Sequence, residues 1–254
     1  MYDLHCHLLP GIDDGPRTID QSLALARAAV EQGITHILCT PHYNSVYPNT
    51  KTEILQAVQE FEVILKENDL PLEIKAGQEV HIKPDLIEDI QKNKLVFWGN
   101  KEQFLLIEFP TFSVPVFSER IFDTLAGLNK IPIIVHPERN NYFMKDPNRL
   151  IPFIQLGALV QVTAGSIRGN FGKESQKCAV KMVKNNLAHI VSSDAHNLKN
   201  RNFQMTEAYS KLEKIISTER VAEMKNLNKI IYQRENDKEM EIYSPKKIKK
   251  FGIF

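Results

Sequence analysis

Short apolar runs alternate along the chain with longer segments whose apolar residues recur at helical spacing. The first two long segments each begin with a capping box, formed by Thr18 with Gln21 and by Thr50 with Glu53. Further helices are predicted over residues 84–92, 117–129, 147–156, 173–186, 204–217 and about 219–233. The apolar runs predict seven strands, over residues 2–7, 35–39, 72–76, 104–107, 131–135, 158–162 and 188–191.

A strand that is followed by a helix or a long loop is the repeating unit of this chain. Such alternation predicts an α/β fold with parallel strands and right-handed crossovers. Seven units in 254 residues favour a closed, TIM-like (βα)7 barrel over an open sheet. We therefore expect one barrel domain over residues 1–240, followed by a basic C-terminal tail over residues 241–254 that carries Lys246, Lys247, Lys249 and Lys250.

Composition narrows the class of protein. The chain has 32 basic and 31 acidic side chains and a formal net charge of +1, which argues against a nucleic-acid binder that works through bulk charge. No stretch approaches the roughly 18–20 unbroken apolar residues of a membrane helix. The three cysteines, Cys6, Cys39 and Cys178, are an odd number without paired spacing, as is typical of a reducing cytoplasm.

Imidazoles and carboxylates recur at the points where the predicted strands end. His5 and His7 are two residues apart on the first strand, so their side chains share one face. Asp194 and His196 have the same spacing after the seventh strand. Because the carboxyl ends of barrel strands meet at one rim, we expect these residues to converge there. The remaining members of the set are His42, Glu79, Glu108 and His136, after the second to fifth strands, and Asp14, on the loop that leaves the first.

These nine N and O donors predict a metal site. A single histidine at a strand end is more often a polar residue without a metal than a metal ligand. Such residues at most of the predicted strand ends are not expected by chance. Glu108 directly follows an apolar run, where an unpaired charge is costly to bury and a metal ion supplies the opposite charge. Nine ligands suit two or three ions, and mixed ligation by histidine and carboxylate favours manganese, zinc or iron. His36 and His189 fall at strand beginnings, on the opposite rim, and are predicted to be structural.

The expected charge of the site indicates its substrate class. Three divalent ions outweigh the four carboxylates, so the site attracts an anion, and bound ions lower the pKa of water towards nucleophilic hydroxide. Two arginines lie close by in sequence, because Arg139 follows His136 and Arg201 follows His196. Arginine is suited to bidentate contact with phosphate oxygens. The sequence therefore predicts a phosphoester hydrolase.

A set of motifs carries a family resemblance that runs nearly end to end. They are Asp3-Leu4-His5-Cys6-His7-Leu8-Leu9-Pro10 with Gly11-Ile12-Asp13-Asp14-Gly15, Thr40-Pro41-His42, Gly77-Gln78-Glu79, Ile107-Glu108-Phe109-Pro110, Val135-His136-Pro137-Glu138-Arg139-Asn140 and Ser193-Asp194-Ala195-His196-Asn197. On these residues the chain resembles the polymerase and histidinol phosphatase (PHP) superfamily. Within it, the chain is most similar to the bacterial metal-dependent tyrosine phosphatases of the CpsB/CapC/YwqE group, which belong to capsule and exopolysaccharide systems.

The resemblance implies a distorted (βα)7 barrel with three metal ions, usually manganese. It assigns His5, His7, Glu79 and Asp194 to one ion. It implies that Glu79 also binds a second ion, together with Glu108 and His136. The third ion would be bound by Asp14, His42 and His196. Arg139 and Arg201 match the arginines that bind the phosphate in relatives. Asp14 is chosen over Asp13 because the family pattern has aspartate before glycine.

The leading hypothesis is a manganese-dependent phosphotyrosine phosphatase that acts on the tail of a bacterial tyrosine kinase. A cysteine phosphatase is excluded, because its Cys-x5-Arg motif would need an arginine where Ile12, Ser45 and Lys184 stand. The alternatives are a PHP enzyme for a small ester such as histidinol phosphate, a nuclease-like relative, and a non-catalytic module that binds metal and docks a kinase.

The expected rim offers no unliganded general acid, since every suitable side chain is assigned to metal. A phenolate, with a pKa near 10, can leave without a proton donor more easily than the alkoxide of serine or threonine. The sequence therefore predicts a preference for aryl phosphates. Tyr43, Phe109 and Phe112 are the candidates for aromatic walls of the substrate pocket, although packing is an equally good role for them.

Overall fold

The strands of the fold pair in parallel throughout. The structure is a computed structural model that describes residues 1–99, 102–233 and 244–248. Its strands are β1 Tyr2–Cys6, β2 His36–Cys39, β3 His42–Tyr43, β4 Glu73–Ala76, β5 Glu79–His81, β6 Phe104–Glu108, β7 Ile131–Val135, β8 Leu159–Thr163 and β9 Ile190–Ser192. Its α-helices are α1 Ile19–Glu31, α2 Lys51–Glu67, α3 Leu86–Gln91, α4 Ser118–Gly127, α5 Asn141–Lys145, α6 Ile151–Gln155, α7 Ala164–Arg168, α8 Lys173–Lys184, α9 Met205–Glu213 and α10 Thr218–Gln233.

Two of the seven predicted strand positions are each occupied by two short pieces. The strand order is β1-β2-β4 in one sheet and β3-β5-β6-β7-β8-β9 in the other. β3 follows β2 after Thr40 and Pro41, and β5 follows β4 after two residues. Hydrogen bonds continue across both breaks, because the Gly77 N–H donates to Cys39 O at 2.8 Å and the Glu79 N–H donates to Pro41 O at 3.1 Å. The two sheets are therefore one interrupted, seven-position sheet.

This sheet closes into a barrel where β9 meets β1. The His7 N–H donates to Ala195 O at 2.9 Å, and the Asp194 N–H donates to His5 O at 2.8 Å. Cys6 and Ala195 form a parallel bridge at the same place. The predicted closed (βα)7 barrel is confirmed.

Side chains alternate between the barrel interior and the layer under the helices. On β6, Phe104 and Leu106 belong to the inner cluster, whereas Leu105 and Ile107 pack in the larger cluster that includes residues of the helices. Ile231 and Tyr232 of α10 join the inner cluster. Because α10 covers the amino ends of the strands, the carboxyl ends form the open rim.

The predicted helix caps are confirmed in part. Thr50 and Glu53 form a complete capping box at the start of α2. At α1, the Thr18 side chain accepts a hydrogen bond from the Gln21 N–H, but the Gln21 side chain accepts from the Arg17 N–H at 2.8 Å and leaves the box half formed. The box is incomplete because the side-chain oxygen of Gln21 accepts from the N–H of Arg17, one residue before the cap, instead of from the N–H of Thr18.

The two histidines predicted to be structural lie at the amino ends of strands. His36 stacks on Tyr2, with ring centroids 4.2 Å apart. His189 is buried, and its Nδ1 accepts a hydrogen bond from the Val160 N–H at 3.0 Å. Both are far from the rim that carries the candidate ligands.

Of the predicted basic tail, residues 244–248 are described, and residues 241–243 and 249–254 lie outside the described part of the chain. The described piece contacts the barrel. The Lys246 N–H donates to Asn185 O at 2.7 Å, and the Asn148 side chain makes hydrogen bonds of 2.7 and 3.0 Å with the backbone of Ile248. In the described residues, no helix has both the length and the apolar character that crossing a bilayer requires.

Candidate metal centre

The rim of the barrel brings together all nine predicted donors and both arginines. His42 and Glu79 are the first residues of β3 and β5, just beyond the carboxyl ends of β2 and β4. The other donors lie at or after the carboxyl ends of β1, β6, β7 and β9, or on the loop that leaves β1. Above the buried donors lies an open pocket of about 340 Å³. Its lining residues are Asp14, His42, Glu108, Phe109, Thr111, His136, Arg139, Asn140 and Arg201.

A local irregularity in β1 directs its two histidines into the site. Between Asp3 and Cys6 the chain advances three residues, while the paired segment from Ile37 to Cys39 advances two. Such a bulge re-aims side chains, and bulges are frequent beside active sites. His5 and His7 are both buried against the other donors, as their spacing predicted.

Glu79 is the hub of the centre. Its buried carboxylate lies 2.7 Å from His136 Nε2, 2.9 Å from His42 Nδ1, 3.2 Å from His7 Nε2 and 3.3 Å from His5 Nε2. Four imidazoles from three different strand positions therefore meet on one carboxylate. Burial opposes the charge of Glu79, but the histidines, His5 and His42 above all, hold its pKa well below its usual range.

Asp194 forms a second focus, shared with the arginines. Its Oδ1 lies 3.4 Å from His5 Nε2 and 3.5 Å from His7 Nε2. The guanidinium of Arg139 donates to Oδ2 at 2.5 Å, and that of Arg201 donates to Oδ1 and Oδ2 at 2.9 and 2.8 Å. Burial opposes ionisation, but the two arginines outweigh it and keep the pKa of Asp194 well below its usual range.

Asp14, and not Asp13, lies beside the remaining histidines. Asp14 Oδ1 is 3.1 Å from His196 Nε2 and 3.3 Å from His42 Nε2. Asp13 instead contacts His7 from behind, with Oδ2 2.6 Å from His7 Nδ1. Its other oxygen accepts from the Gly15 N–H at 2.9 Å, which fixes the Asp-Asp-Gly turn.

Two donors are presented by backbone in the left-handed region. His136 has φ of 35° and Asp194 has φ of 53°. For residues other than glycine this conformation costs about 1–3 kcal/mol, and it persists where the surroundings over-determine it. Here the turn after β7 and the turn after β9 direct both side chains into the site.

The charge states of several donors suit metal ligation. Burial and the neighbouring Arg139 lower the pKa of His136 to about 4, and burial together with His7 lowers that of His196 to about 4. Both imidazoles are therefore neutral at pH 7, which is the form that binds metal. Burial and the Glu79 carboxylate raise the pKa of Glu108 to about 7, a strain that a bound cation would relieve.

Unpaired polar atoms give an independent test of whether cations fit. Glu79 Oε2, His42 Nδ1 and His196 Nε2 are buried without a hydrogen-bond partner. Glu79 Oε2 and His42 Nδ1 lie only 2.9 Å apart, yet they do not have hydrogen-bond geometry. Buried donors that face one another unpaired fit divalent ions. Four groups in the described residues have ligand atoms close enough to hold one: His7, Asp14, His42 and His196; His5, Glu79 and His136; His5, His7 and Asp194; and His42, Glu79 and Glu108.

The cysteines take no part in this centre. Cys6, Cys39 and Cys178 are free and buried, and burial raises the pKa of each thiol, that of Cys178 to about 12. A thiolate nucleophile is therefore not available at neutral pH.

Sequence reasoning missed two residues that support the histidines. Gln161 Oε1 lies 3.0 Å from His5 Nδ1, and Asp13 holds His7 as described above. The signal for Gln161 was present, because it is the one polar residue in the apolar run of residues 158–162. A buried polar side chain in a central strand needs a partner, and here the partner is a candidate ligand.

The three predicted aromatic walls have different positions. Phe109 is buried and lines the pocket, and it stacks on Phe122 below. Tyr43 lines a neighbouring groove and donates a hydrogen bond to Asp89 at 2.9 Å. Phe112 is exposed to solvent. Among the three, Phe109 is thus the one that lines the pocket itself.

Comparison with known proteins agrees with this architecture. Residues 1–232 match the family described as "Capsular polysaccharide synthesis, CpsB/CapC". The chain is 41% identical over 220 residues to the tyrosine-protein phosphatase YwqE of Bacillus subtilis, covering 86% of each chain. It is 34% identical to the putative tyrosine-protein phosphatase CapC of Staphylococcus aureus over the whole of both chains.

A solved structure is similar over nearly the whole fold. It comes from the work on YwqE from Bacillus subtilis and CpsB from Streptococcus pneumoniae, described as unique metal-dependent tyrosine phosphatases. The TM-score is 0.92 at 36% identity, with 98% of this chain and 100% of the other covered.

Proposed function

Because the chain belongs to the CpsB/CapC family of capsular polysaccharide synthesis, we propose that it is a metal-dependent protein-tyrosine phosphatase. The relatives named above are tyrosine phosphatases, and the similar solved structure is described as metal-dependent. The observation that carries the proposal is the meeting of four imidazoles on the buried Glu79 carboxylate, at the floor of a pocket that two arginines line.

The proposed centre holds three divalent ions, and manganese is the proposed metal. His5, His7, Glu79 and Asp194 hold the first. Glu79 together with Glu108 and His136 would hold the second, and Asp14, His42 and His196 would hold the third. The unpaired atoms of Glu79, His42 and His196 support cation binding here. Close ligand atoms support the grouping of His5 and His7 with Asp194 and that of Asp14 with His42 and His196, whereas the second set rests on the family resemblance. When bound, such ions lower the pKa of water and neutralise phosphate oxygens.

Arg139 and Arg201 are the proposed phosphate-binding residues. Both line the pocket, and the buried Nε atom of each lacks a hydrogen-bond partner. Each can therefore donate Nε–H to a phosphate oxygen while its terminal nitrogen keeps hold of Asp194. Two fixed positive charges at the mouth orient the phosphate and stabilise the charge of the transition state.

The pocket favours a phenolic leaving group. Its imidazoles and carboxylates, Asp14, His42, Glu108 and His136, are all proposed ligands, which leaves no side chain among them to protonate the departing oxygen. A tyrosine phenolate tolerates departure without a proton donor far better than a serine alkoxide. Phe109 offers an aromatic wall for the tyrosine ring.

We propose a bacterial tyrosine kinase tail, in capsule or exopolysaccharide synthesis, as the substrate and the cytoplasm as the place of action. The family description supports the pathway. The three free, buried cysteines support a reducing compartment.

The direct test measures phosphotyrosine hydrolysis on protein stripped with a chelator and then reloaded. We expect activity to vanish on stripping and to return with manganese, and the metal content to reach about three ions per chain. A variant in which Cys6, Cys39 and Cys178 are all replaced by alanine is the control, and it should keep its turnover. Loss of activity in that folded variant, or full activity without metal, would contradict the proposal.

A further inference from the structure

The most exposed large apolar side chains in the described part of the chain lie on two loops of the catalytic rim. They are Val116, Phe112 and Val46, at 102%, 78% and 70% relative exposure. Val46 lies on the loop after β3, and the other two lie on the loop after β6. Exposed apolar groups that cluster at one place mark interaction surfaces.

These loops are continuous with the pocket. His42, which lines the pocket, is followed directly by Tyr43 and the loop of residues 44–48. Phe109 and Thr111, which also line it, begin the loop that carries Phe112 and Val116. Because β3, β5 and β6 are neighbours in the sheet, the loops after these three strands form one uninterrupted sector of the rim. We call it the apolar sector.

A groove of about 380 Å³ lies within the apolar sector. Its lining residues are Tyr43, Asn44, Ser45 and Pro48, from β3 and the loop after it, and His81, Ile82 and Lys83, from the end of β5 and beyond. The charge of Lys83 is compensated by Asp89 and by Asp85, the latter at 3.5 Å. The surface that remains for a ligand is therefore mainly apolar and aromatic.

Both loops are fixed by side chains rather than free to collapse. Asn44 Oδ1 accepts hydrogen bonds from the Val46 and Tyr47 N–H groups, each at 2.9 Å. The Asn140 side chain donates to Pro110 O at 2.6 Å and to Ser113 O at 3.2 Å. The exposed apolar groups are thus presented on preformed loops, which reduces the entropic cost of binding.

We propose that the apolar sector binds the substrate polypeptide on either side of the phosphotyrosine and selects apolar side chains there. This inference rests on the proposed function. The arginines occupy the loops after β7 and β9, on the other part of the rim, so the phosphate and the polypeptide have separate binding surfaces. The groove takes an apolar residue next to the phosphotyrosine, and Val46 and Phe112 contact its neighbours.

The test compares a small substrate with peptides. The double variant Val46→Ser with Phe112→Ser is assayed on p-nitrophenyl phosphate and on two phosphotyrosine peptides, one with leucines and one with serines beside the phosphotyrosine. We expect KM for the leucine peptide to rise about tenfold with kcat unchanged, because two apolar contacts are lost. The serine peptide and p-nitrophenyl phosphate should change less than about twofold. The matched control, Val63→Ser with Leu128→Ser, removes exposed apolar groups away from the rim loops and should change none of these values.

Three outcomes would overturn the inference. One is an unchanged KM for the leucine peptide, and another is an equal loss on all three substrates. The third is a wild-type dimer that the double variant dissociates in sedimentation, which would make the sector an interface between copies of this chain. If the wild-type protein with manganese hydrolysed none of the substrates, the proposed function itself would fail, and the two failures are thus distinguishable.

Discussion

Gln161 Oε1 lies 3.0 Å from Nδ1 of His5, and both side chains are fully buried. The amide oxygen can only accept, so the imidazole donates Nδ1–H to it and presents Nε2 to the centre. Nε2 is the atom that faces Glu79 and Asp194. Gln161 therefore sets the tautomer of a proposed metal ligand from the opposite side of the ring.

Replacing Gln161 by leucine should weaken metal binding. The change preserves size but removes the acceptor that orients His5, and loss of such a partner lowers metal affinity about 10–100-fold. Competition with a chelator measures the affinity without reference to activity. Gln161→Glu keeps an acceptor oxygen and is the matched control, which should bind metal as the wild type does. Equal affinity in the leucine variant would show that Glu79 and Asp194 alone hold the ring.

Substitutions of Arg139 and His136 should affect metal content differently, because one residue is proposed to bind phosphate and the other to bind metal. Arg139→Ala removes one guanidinium, but Arg201 still contacts both oxygens of Asp194, so the metal content should be kept. Turnover should fall about 10²–10³-fold, as for other losses of a charge-stabilising donor. His136→Ala should lower metal content as well as kcat. Metal analysis beside steady-state kinetics makes the comparison, and comparable metal loss in Arg139→Ala would remove Arg139 from the phosphate site.

The rate of hydrolysis should depend on the pKa of the leaving group, so that phosphotyrosine is preferred to phosphoserine. In matched peptides, phosphotyrosine should be hydrolysed at least about 100-fold faster than phosphoserine, because the pocket offers no unassigned acid to protonate an alkoxide. Among aryl phosphates, kcat should rise as the pKa of the phenol falls. Equal kcat/KM for the two peptides would point to a hidden proton donor and to a broader phosphoesterase.

His189 should make the fold sensitive to acid. Burial and Arg220 lower its pKa to about 4, against about 6.5 in the unfolded chain. Between these values the unfolded chain binds a proton that the folded chain does not, so stability is full above pH 6.5 and falls as the pH drops below it. From pH 6.5 to 5 the loss is about 2 kcal/mol.

Urea unfolding of metal-free protein at the two pH values checks this, with His189→Gln expected to lose about 2 kcal/mol less than the wild type. His36→Gln is the matched control, because the His36 ring is partly exposed and should contribute much less. An equal loss of stability in the wild type and in His189→Gln would contradict the lowered pKa.

Much of the site was predictable because its residues follow the strand period. Spacing alone places two pairs at the rim, His5 with His7 and Asp194 with His196, because the carboxyl ends of all strands in a parallel barrel meet there. Spacing does not reveal the breaks after Cys39 and Ala76, because a strand that pauses for two residues and resumes has the same apolar pattern as one that ends. Nor does it tell Asp13 from Asp14, because adjacent carboxylates on a loop differ only in the turn that the backbone makes.

The exposed loops were the least predictable part. Phe112 was expected to be a wall of the pocket on account of its position near Glu108, whereas it points into solvent from a loop held by Asn140. The residue type alone does not distinguish a phenylalanine that packs in the pocket from one that is exposed to solvent. The hydrogen bonds of the loop decide between them, and these come from a residue about 30 positions away.

The seam between β1 and β9 has a consequence for how this protein comes into being. β1 pairs with β2 nearby in the chain, but its other neighbour, β9, lies more than 180 residues further on, and the Ser193 N–H donates to Asp3 across a separation of 190 residues. His5 and Asp194 face each other across that seam. A nascent chain that is still short of β9 has an open sheet and lacks Asp194 and His196, two of the nine proposed donors, so we expect that it can neither retain a full complement of ions nor act on a phosphoprotein. We therefore expect activity only once the barrel is complete, and an ion held by both His5 and Asp194 would stabilise the closure of the barrel between β1 and β9.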